Sequence, residues 1–311
     1  MVKNRSKSYN IIFYRCKILT FYAYFLIISL SSIELFSQDT LPESKLENDK
    51  EIIHDTTAPS SFEIILSDLK GAGSDFRQVF EYLITPSYKH IAYPLAVADF
   101  TYVASSLDEQ FRVFPSHKQD IWWLRQAGEA RTAIILPSAI YLSGLIFRDE
   151  DIRITGRLLF ESMLLSGVVN SGLKFVFGRA RPSMNLGHQE FYFFQMKDDF
   201  QSMPSGHTCA AFTTATLLAG RIDNSWVDAG LYLIAAGTAF QRIMQDRHWF
   251  SDVVLGGMIG FYSSRMILSS YADNQANRDK DMRANRGENL NWAITPYYDF
   301  RGAGLNLRMS W

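Results

Sequence analysis

Residues 204–220 read PSGHTCAAFTTATLLAG. A proline, a serine and a glycine lead straight into an apolar run with no strand-type alternation, so the run is a helix and Ser205 stands where its N-cap belongs. Gly206 lets backbone N–H groups approach a ligand closely, and His207 falls in the first turn. A helix start of this kind is an anion site. By background residue usage, Pro-Ser-Gly-His should occur by chance in a chain this long with a probability on the order of 10⁻³.

Outward from this helix lie further apolar segments at 91–107, 132–147, 158–177, 227–240 and 253–268, each of helical length and none alternating along its length. The expected fold is all-α, a helical bundle. Most segments fall short of the ~20 residues that cross a bilayer comfortably, which allows a compact soluble bundle. The Ala/Gly/Ser-rich stretches 208–220 and 253–264 favour close packing between membrane helices. From Phe62 to Ile84, apolar residues recur at helical spacing, and Gly71 and Gly73 divide the run into two expected short helices, the second ended by Pro86. At the other end, Leu305, Leu307, Met309 and Trp311 alternate with polar residues. They form the second strand of an expected short C-terminal β-hairpin, with 292–300 as partner and Arg301-Gly302-Ala303-Gly304 as the turn.

Lys3, Arg5 and Lys7 precede an apolar stretch ending near Ser31-Ser32, the pattern of an export signal or signal anchor over 1–38. The expected organisation continues with an acidic polar linker (39–60), N-terminal helices (61–130), a catalytic core (131–272) and a linker with the hairpin (273–311). Lys+Arg total 31 against 32 Asp+Glu, a net charge of -1 that removes the electrostatic basis for nucleic-acid binding. Two cysteines, Cys16 and Cys209, exclude a disulfide scaffold and a cysteine-built zinc site.

Three clusters carry chemistry. Lys174 and Arg181 are seven residues apart, nearly two helical turns, with Pro182 as a stop. Ser205, Gly206 and His207 open the helix quoted above. Arg242, His248 and Asp252 form the third; a four-residue spacing would let Asp252 take one ring N–H of His248 and leave the other nitrogen free. In an up-and-down bundle turning at Asp223-Asn224, all three clusters meet at one end. Cations, a helix N-terminus and two histidines there make an oxyanion site with a nucleophile and an acid.

The pattern Lys174-(six residues)-Arg181-Pro182, then Pro204-Ser205-Gly206-His207, then Arg242-(five residues)-His248-(three residues)-Asp252 resembles the three-part signature of the type 2 phosphatidic acid phosphatase superfamily, over roughly 130–270. That superfamily includes lipid phosphatases, bacterial class A acid phosphatases and vanadium haloperoxidases. Gln241 departs from it, standing where the family has serine. The resemblance implies a phosphatase. Lys174, Arg181, Ser205, Gly206 and Arg242 would hold the phosphoryl oxygens, His248 oriented by Asp252 would attack phosphorus, and His207 would protonate the leaving oxygen. Neither metal nor organic cofactor is expected. The expected reaction is hydrolysis of a phosphate monoester or pyrophosphate through a phosphohistidine, on a lipid or isoprenoid phosphate met at the membrane of the cell envelope, on a site facing the periplasm. A soluble periplasmic acid phosphatase of broad specificity and a vanadate-dependent haloperoxidase are the alternatives. Arg148, Arg153 and Arg157, read as a basic loop before helix 158–177, support that sidedness through the positive-inside rule. The charge of Asp99 makes 91–107 costly to insert.

Overall fold

The computed structural model describes residues 59–85, 88–112, 121–285, 291–299 and 302–310. The expected signal segment and nearly all of the polar linker lie outside them. In sequence the chain divides after Leu268 into two compact units.

The first unit is helical. Helix α1 (Ser61–Ile84) opens with a capping box in which Glu63 N–H donates to the Ser60 hydroxyl and Ser60 N–H donates to the Glu63 carboxylate. The expected break at Gly71 and Gly73 is absent, and α1 is one 24-residue helix. Gly71 serves close packing: a Cβ there would lie 1.9 Å from Arg157 Nη1. What holds α1 is a buried ionic ladder. Asp68 pairs with Arg153 at 2.5 Å and Asp75 with Arg157 at 2.9 Å, while the Tyr141 hydroxyl donates to Asp68. Those contacts outweigh the roughly 1 kcal/mol by which a glycine weakens a helix interior.

Helices α2 (Tyr88–Ser105), α3 (Asp108–Arg112) and α4 (Trp122–Ala127) follow. Then comes an antiparallel pair, α5 (Ala130–Phe147) and α6 (Glu150–Phe177), joined by a tight turn with Arg148 left-handed and Asp149 capping α6 by accepting from Ile152 N–H. Arg153 and Arg157 are therefore helical residues in buried ion pairs, and the expected basic loop shrinks to Arg148. Helix α7 (Gly206–Ala219) and helix α8 (Ser225–Met244) meet through Asn224, whose side chain caps α8. Helix α9 (Phe250–Asn285) runs on well past the expected end at 268.

Small residues set the spacing. A Cβ on Gly256 of α9 would stand 2.4 Å from the Ser205 carbonyl oxygen, and one on Gly260 equally close to that of Cys209. These two glycines, one turn apart, let α9 lie directly against the start of α7. Met203, Cys209, Leu255 and Ile259 pack beneath that start with Leu173 and Phe177. Ala211, Ala215 and Ala235 seal α7 against α8.

Large apolar side chains also cover the outside: Ile134, Ile135, Leu142, Ile146 and Phe147 on α5, Phe160, Leu164, Val168 and Phe175 on α6, and Trp226, Leu233 and Phe240 on α8. On α6 and α8 they recur at helical spacing as single stripes. Among the described residues α5 alone is long and apolar enough to cross a membrane, and only 11% of it is buried in the protein.

The second unit contains an antiparallel hairpin, β1 (Asn291–Asp299) and β2 (Gly302–Ser310), in register from Asn291 opposite Ser310 to Asp299 opposite Gly302. The expected turn at 301–304 is thus corrected. Gly302, Ala303 and Gly304 pair with Asp299, Tyr298 and Tyr297, which leaves only residues 300 and 301 between the strands.

Candidate active site

Lys174 comes from the last turn of α6, and its ammonium donates to the Gln201 carbonyl at 2.5 Å. Its Cε lies 3.7 Å from where a Cβ on Gly206 would be, so the first cluster touches the start of α7. Arg181, just past α6, is buried. Its guanidinium donates through Nε to the Asp198 carbonyl and through Nη2 to the Asp198 carboxylate at 2.6 Å. Asp198 is exposed, so this partner is one that a stronger anion can displace. Arg242, also buried, ends α8, and its Nη1 donates to the Gln245 side chain.

Ser205 holds the N-cap position of α7, yet its side chain caps nothing. Its hydroxyl accepts from Thr208 Oγ1, and its N–H donates to the Asp252 carbonyl. The N–H groups of the first turn are therefore left uncapped by this serine, with the partial positive charge of the helix end behind them.

His248 lies in the turn before α9, where the expected i,i+4 helical pair with Asp252 does not form. Its Nδ1 is 2.6 Å from the Ser202 carbonyl oxygen and 3.9 Å from the Asp252 carboxylate. A carbonyl only accepts, so Nδ1 carries the hydrogen and Nε2 keeps its lone pair. Asp252 acts one step removed. Its Oδ2 accepts from the Ser202 hydroxyl at 2.5 Å and from Trp249 N–H at 2.9 Å, which fixes the two residues flanking the imidazole contact.

Burial pushes His248 well below the usual histidine range, helped by Lys174, Arg242 and Arg181. Burial and the same cations, Arg242 foremost, bring His207 down to about 4. Both imidazoles are neutral near pH 7 while no anion balances the cations. The eight expected residues thus stand together at one end of the bundle, with Gln241 apart from them: its side chain donates to the Ile121 carbonyl and ties α8 to the start of α4.

The sequence reading missed the residues behind the site. Arg179, 1% exposed, donates to Asp252 Oδ1 at 2.5 Å, to Asp108 Oδ2 at 2.7 Å, to the Ser251 hydroxyl at 2.8 Å and to the His188 carbonyl. Asp108 in turn accepts from Ser251 N–H and hydroxyl, both at 2.8 Å. One buried arginine between two buried carboxylates clamps α3 to the start of α9. A buried arginine requires such partners, and the second cation in Gly178-Arg179-Ala180-Arg181 was the available signal.

Comparison with known proteins covers this same part of the chain. Residues 155–276 match the PAP2 superfamily. The matched segment contains all eight expected site residues and Arg179, and it excludes Asp108. Curated relatives are named lipid A 1-phosphatase. One from Porphyromonas gingivalis is 37% identical over 99 residues, 31% of this chain and 19% of that protein. One from Rhizobium etli is 31% identical over 122 residues, 38% of this chain and 50% of that protein. The chain thus spans at most about half the length of these relatives. Among solved structures, Aquifex aeolicus LpxE is 25% identical with a TM-score of 0.41, covering 51% of this chain and 93% of that one. A transmembrane PAP2-type phosphatidylglycerolphosphate phosphatase from Bacillus subtilis is 16% identical with a TM-score of 0.37, covering 70% and 96%.

Proposed function

We propose that the protein is a membrane phosphatase that hydrolyses the phosphate monoester of a lipid, with a glycolipid phosphate of the lipid A 1-phosphate type as its substrate class. The observation that carries this reading is the pairing of His248 Nδ1 with the Ser202 carbonyl. It leaves Nε2 as a neutral nucleophile among Lys174, Arg181, Arg242 and the uncapped start of α7. The names of the curated relatives and the apolar outer faces of α5, α6 and α8 support the lipid.

The chemistry follows from these groups. The phosphoryl oxygens take the place of Asp198 on Arg181 and bind Lys174, Arg242 and the α7 N–H groups, which neutralise charge as it builds up on phosphorus. The Nε2 lone pair of His248 forms a bond to phosphorus while the ester P–O bond breaks. His207 gives its proton to the departing oxygen. It holds that proton once the substrate's negative charge offsets the surrounding cations, or receives it from a phosphate monoanion. Water then attacks the phosphohistidine as His207 takes the proton back, the P–N bond breaks, and His248 is regenerated. Each residue has done its work without a net change of charge.

In this proposal the site faces the periplasm. Asp99 is exposed on α2, a costly position for a crossing helix, so α5 is taken as the inward span, and α6, which packs along it, as the path by which the chain comes back to the site. Arg148 remains at the turn between them, whereas Arg153 and Arg157 are already neutralised by Asp68 and Asp75.

Phosphate release from a panel of detergent-solubilised lipids, with and without EDTA, tests the proposal. The expected result is release from a phosphorylated glycolipid that EDTA leaves unchanged and orthovanadate blocks. Activity confined to soluble esters, or lost to EDTA and restored by a divalent ion, would overturn it.

A further inference from the structure

The face of α6 that carries Lys174 carries a second polar group that none of the three clusters includes. Asn170 is four residues before Lys174, one turn deeper on the same face, and only 5% exposed. Its Nδ2 lies 3.5 Å from where a Cβ on Gly206 would be, and Lys174 Cε lies 3.7 Å from the same point. Asn170 and Lys174 therefore flank the first residue of α7, where the uncapped N–H groups begin. Yet the Asn170 Oδ1 is fully enclosed and has no hydrogen-bond partner among the described residues.

A buried carboxamide that bridged two helices for stability would use both its ends, because an unmet polar atom in a dry site costs free energy comparable to a lost hydrogen bond. Here it is held against the anion-binding helix start with its acceptor unmet. That is the arrangement of a group whose partner arrives with the ligand. A carboxamide suits a phosphoryl group in its monoanionic form. Its Nδ2, the end beside Gly206, donates to a non-bridging oxygen, and a rotation of the carboxamide about its last bond brings the now enclosed carbonyl oxygen to the single proton that the monoanion carries. A lysine at this depth could only donate, and an aspartate would repel the anion.

We infer that Asn170 is a further phosphate-binding residue, one that contacts the phosphoryl group beside Lys174 at the start of α7. The inference rests on the phosphatase reading above, since it concerns the same site. It explains why a polar side chain is kept nearly two turns inside the C-terminal end of a helix whose outer face carries Leu164 and Val168.

Two variants test it, Asn170→Leu, which keeps the heavy-atom branching and removes both polar atoms, and Asn170→Asp, which keeps the shape and adds charge. The probe is orthovanadate, titrated calorimetrically into the full-length protein in detergent, with kcat and KM for a lipid phosphate and the melting temperature measured alongside. A hydrogen bond to a charged ligand predicts that Asn170→Leu weakens orthovanadate binding by about tenfold or more while the melting temperature stays level or rises. Asn170→Asp should weaken it further, and increasingly as pH rises through the carboxyl range. Orthovanadate affinity within twofold of wild type in Asn170→Leu overturns the inference, as does a loss of melting temperature in both variants with affinity retained. Should the wild-type protein neither bind orthovanadate nor release phosphate, it is the phosphatase reading that fails.

Discussion

Replacing Asp108 by asparagine should destabilise the protein and slow it together, although residue 108 touches no part of the oxyanion cradle. Asp108 is fully buried and accepts three hydrogen bonds, from Arg179 Nη2 at 2.7 Å and from the N–H and hydroxyl of Ser251 at 2.8 Å. Asparagine keeps one acceptor, enough for the Ser251 N–H, and turns an NH₂ group or a neutral oxygen toward the guanidinium. Breaking a buried ion pair by removing one partner costs about 3–5 kcal/mol. Arg179 retains Asp252, which places the expectation at the lower end, about 3 kcal/mol. At about 2–4 °C per kcal/mol in domains of 150–250 residues, the melting temperature should fall by roughly 6–12 °C. The rate should fall as well. Arg179 would be drawn onto Asp252, which holds the Ser202 hydroxyl and the Trp249 N–H on either side of the His248 contact. A displacement of the nucleophile by about 1 Å is worth on the order of 10²-fold. Because the cations and the start of α7 are untouched, kcat should drop while KM for the lipid phosphate changes little. Thermal unfolding in detergent and steady-state kinetics on one lipid phosphate read both effects. A melting temperature within about 2 °C of wild type, with kcat within twofold, would refute the clamp.

His248→Ala should abolish turnover with the protein still folded, and ³²P-labelled substrate quenched in alkali should label wild type but not the variant; more than a few per cent residual activity would remove His248 as nucleophile. Acid should destabilise the protein. His207 is held near 4 in the folded state against about 6.5 unfolded, so the unfolded chain binds the extra proton and stability falls as pH drops from about 6.5 to 4, by about 3 kcal/mol for this group. His248 adds loss of the same sign. His207→Gln should flatten that part of the stability profile, and an unchanged slope would assign the acid sensitivity elsewhere. For sidedness, a single cysteine at Gln189, in a background without Cys16 and Cys209, should react with an impermeant thiol reagent in cells whose outer membrane alone is permeabilised; reaction only after the inner membrane is broken would reverse the topology.

The bundle and the three clusters were legible because both rest on local spacing. Seven residues from Lys174 to Arg181, and a Pro-Ser-Gly turn ahead of an apolar run, dictate geometry within one or two turns of chain. What was illegible depends on contacts distant in sequence. Asp108 and Arg179 are separated by 71 residues and share no periodicity, so only the burial of Arg179 reveals that it needs two carboxylates. The same cause split α1 wrongly at Gly71, where helix propensity argued for a break and the Arg157 side chain argued against one. The His248–Asp252 spacing misled for a different reason. It suits a helix, but α9 begins at Phe250, which leaves His248 in the preceding turn and hands its N–H to Ser202.

Asp108 sits outside residues 155–276, while the arginine and the serine it holds sit inside. The segment that sequence comparison recognises is therefore smaller than the piece of protein that is electrostatically complete. A chimera cut at residue 155 would part a buried cation from one of its two counter-ions even though every residue of the signature travelled together. The natural boundary for grafting, minimisation or domain exchange lies upstream of α3, where the last charge of the network is gathered in.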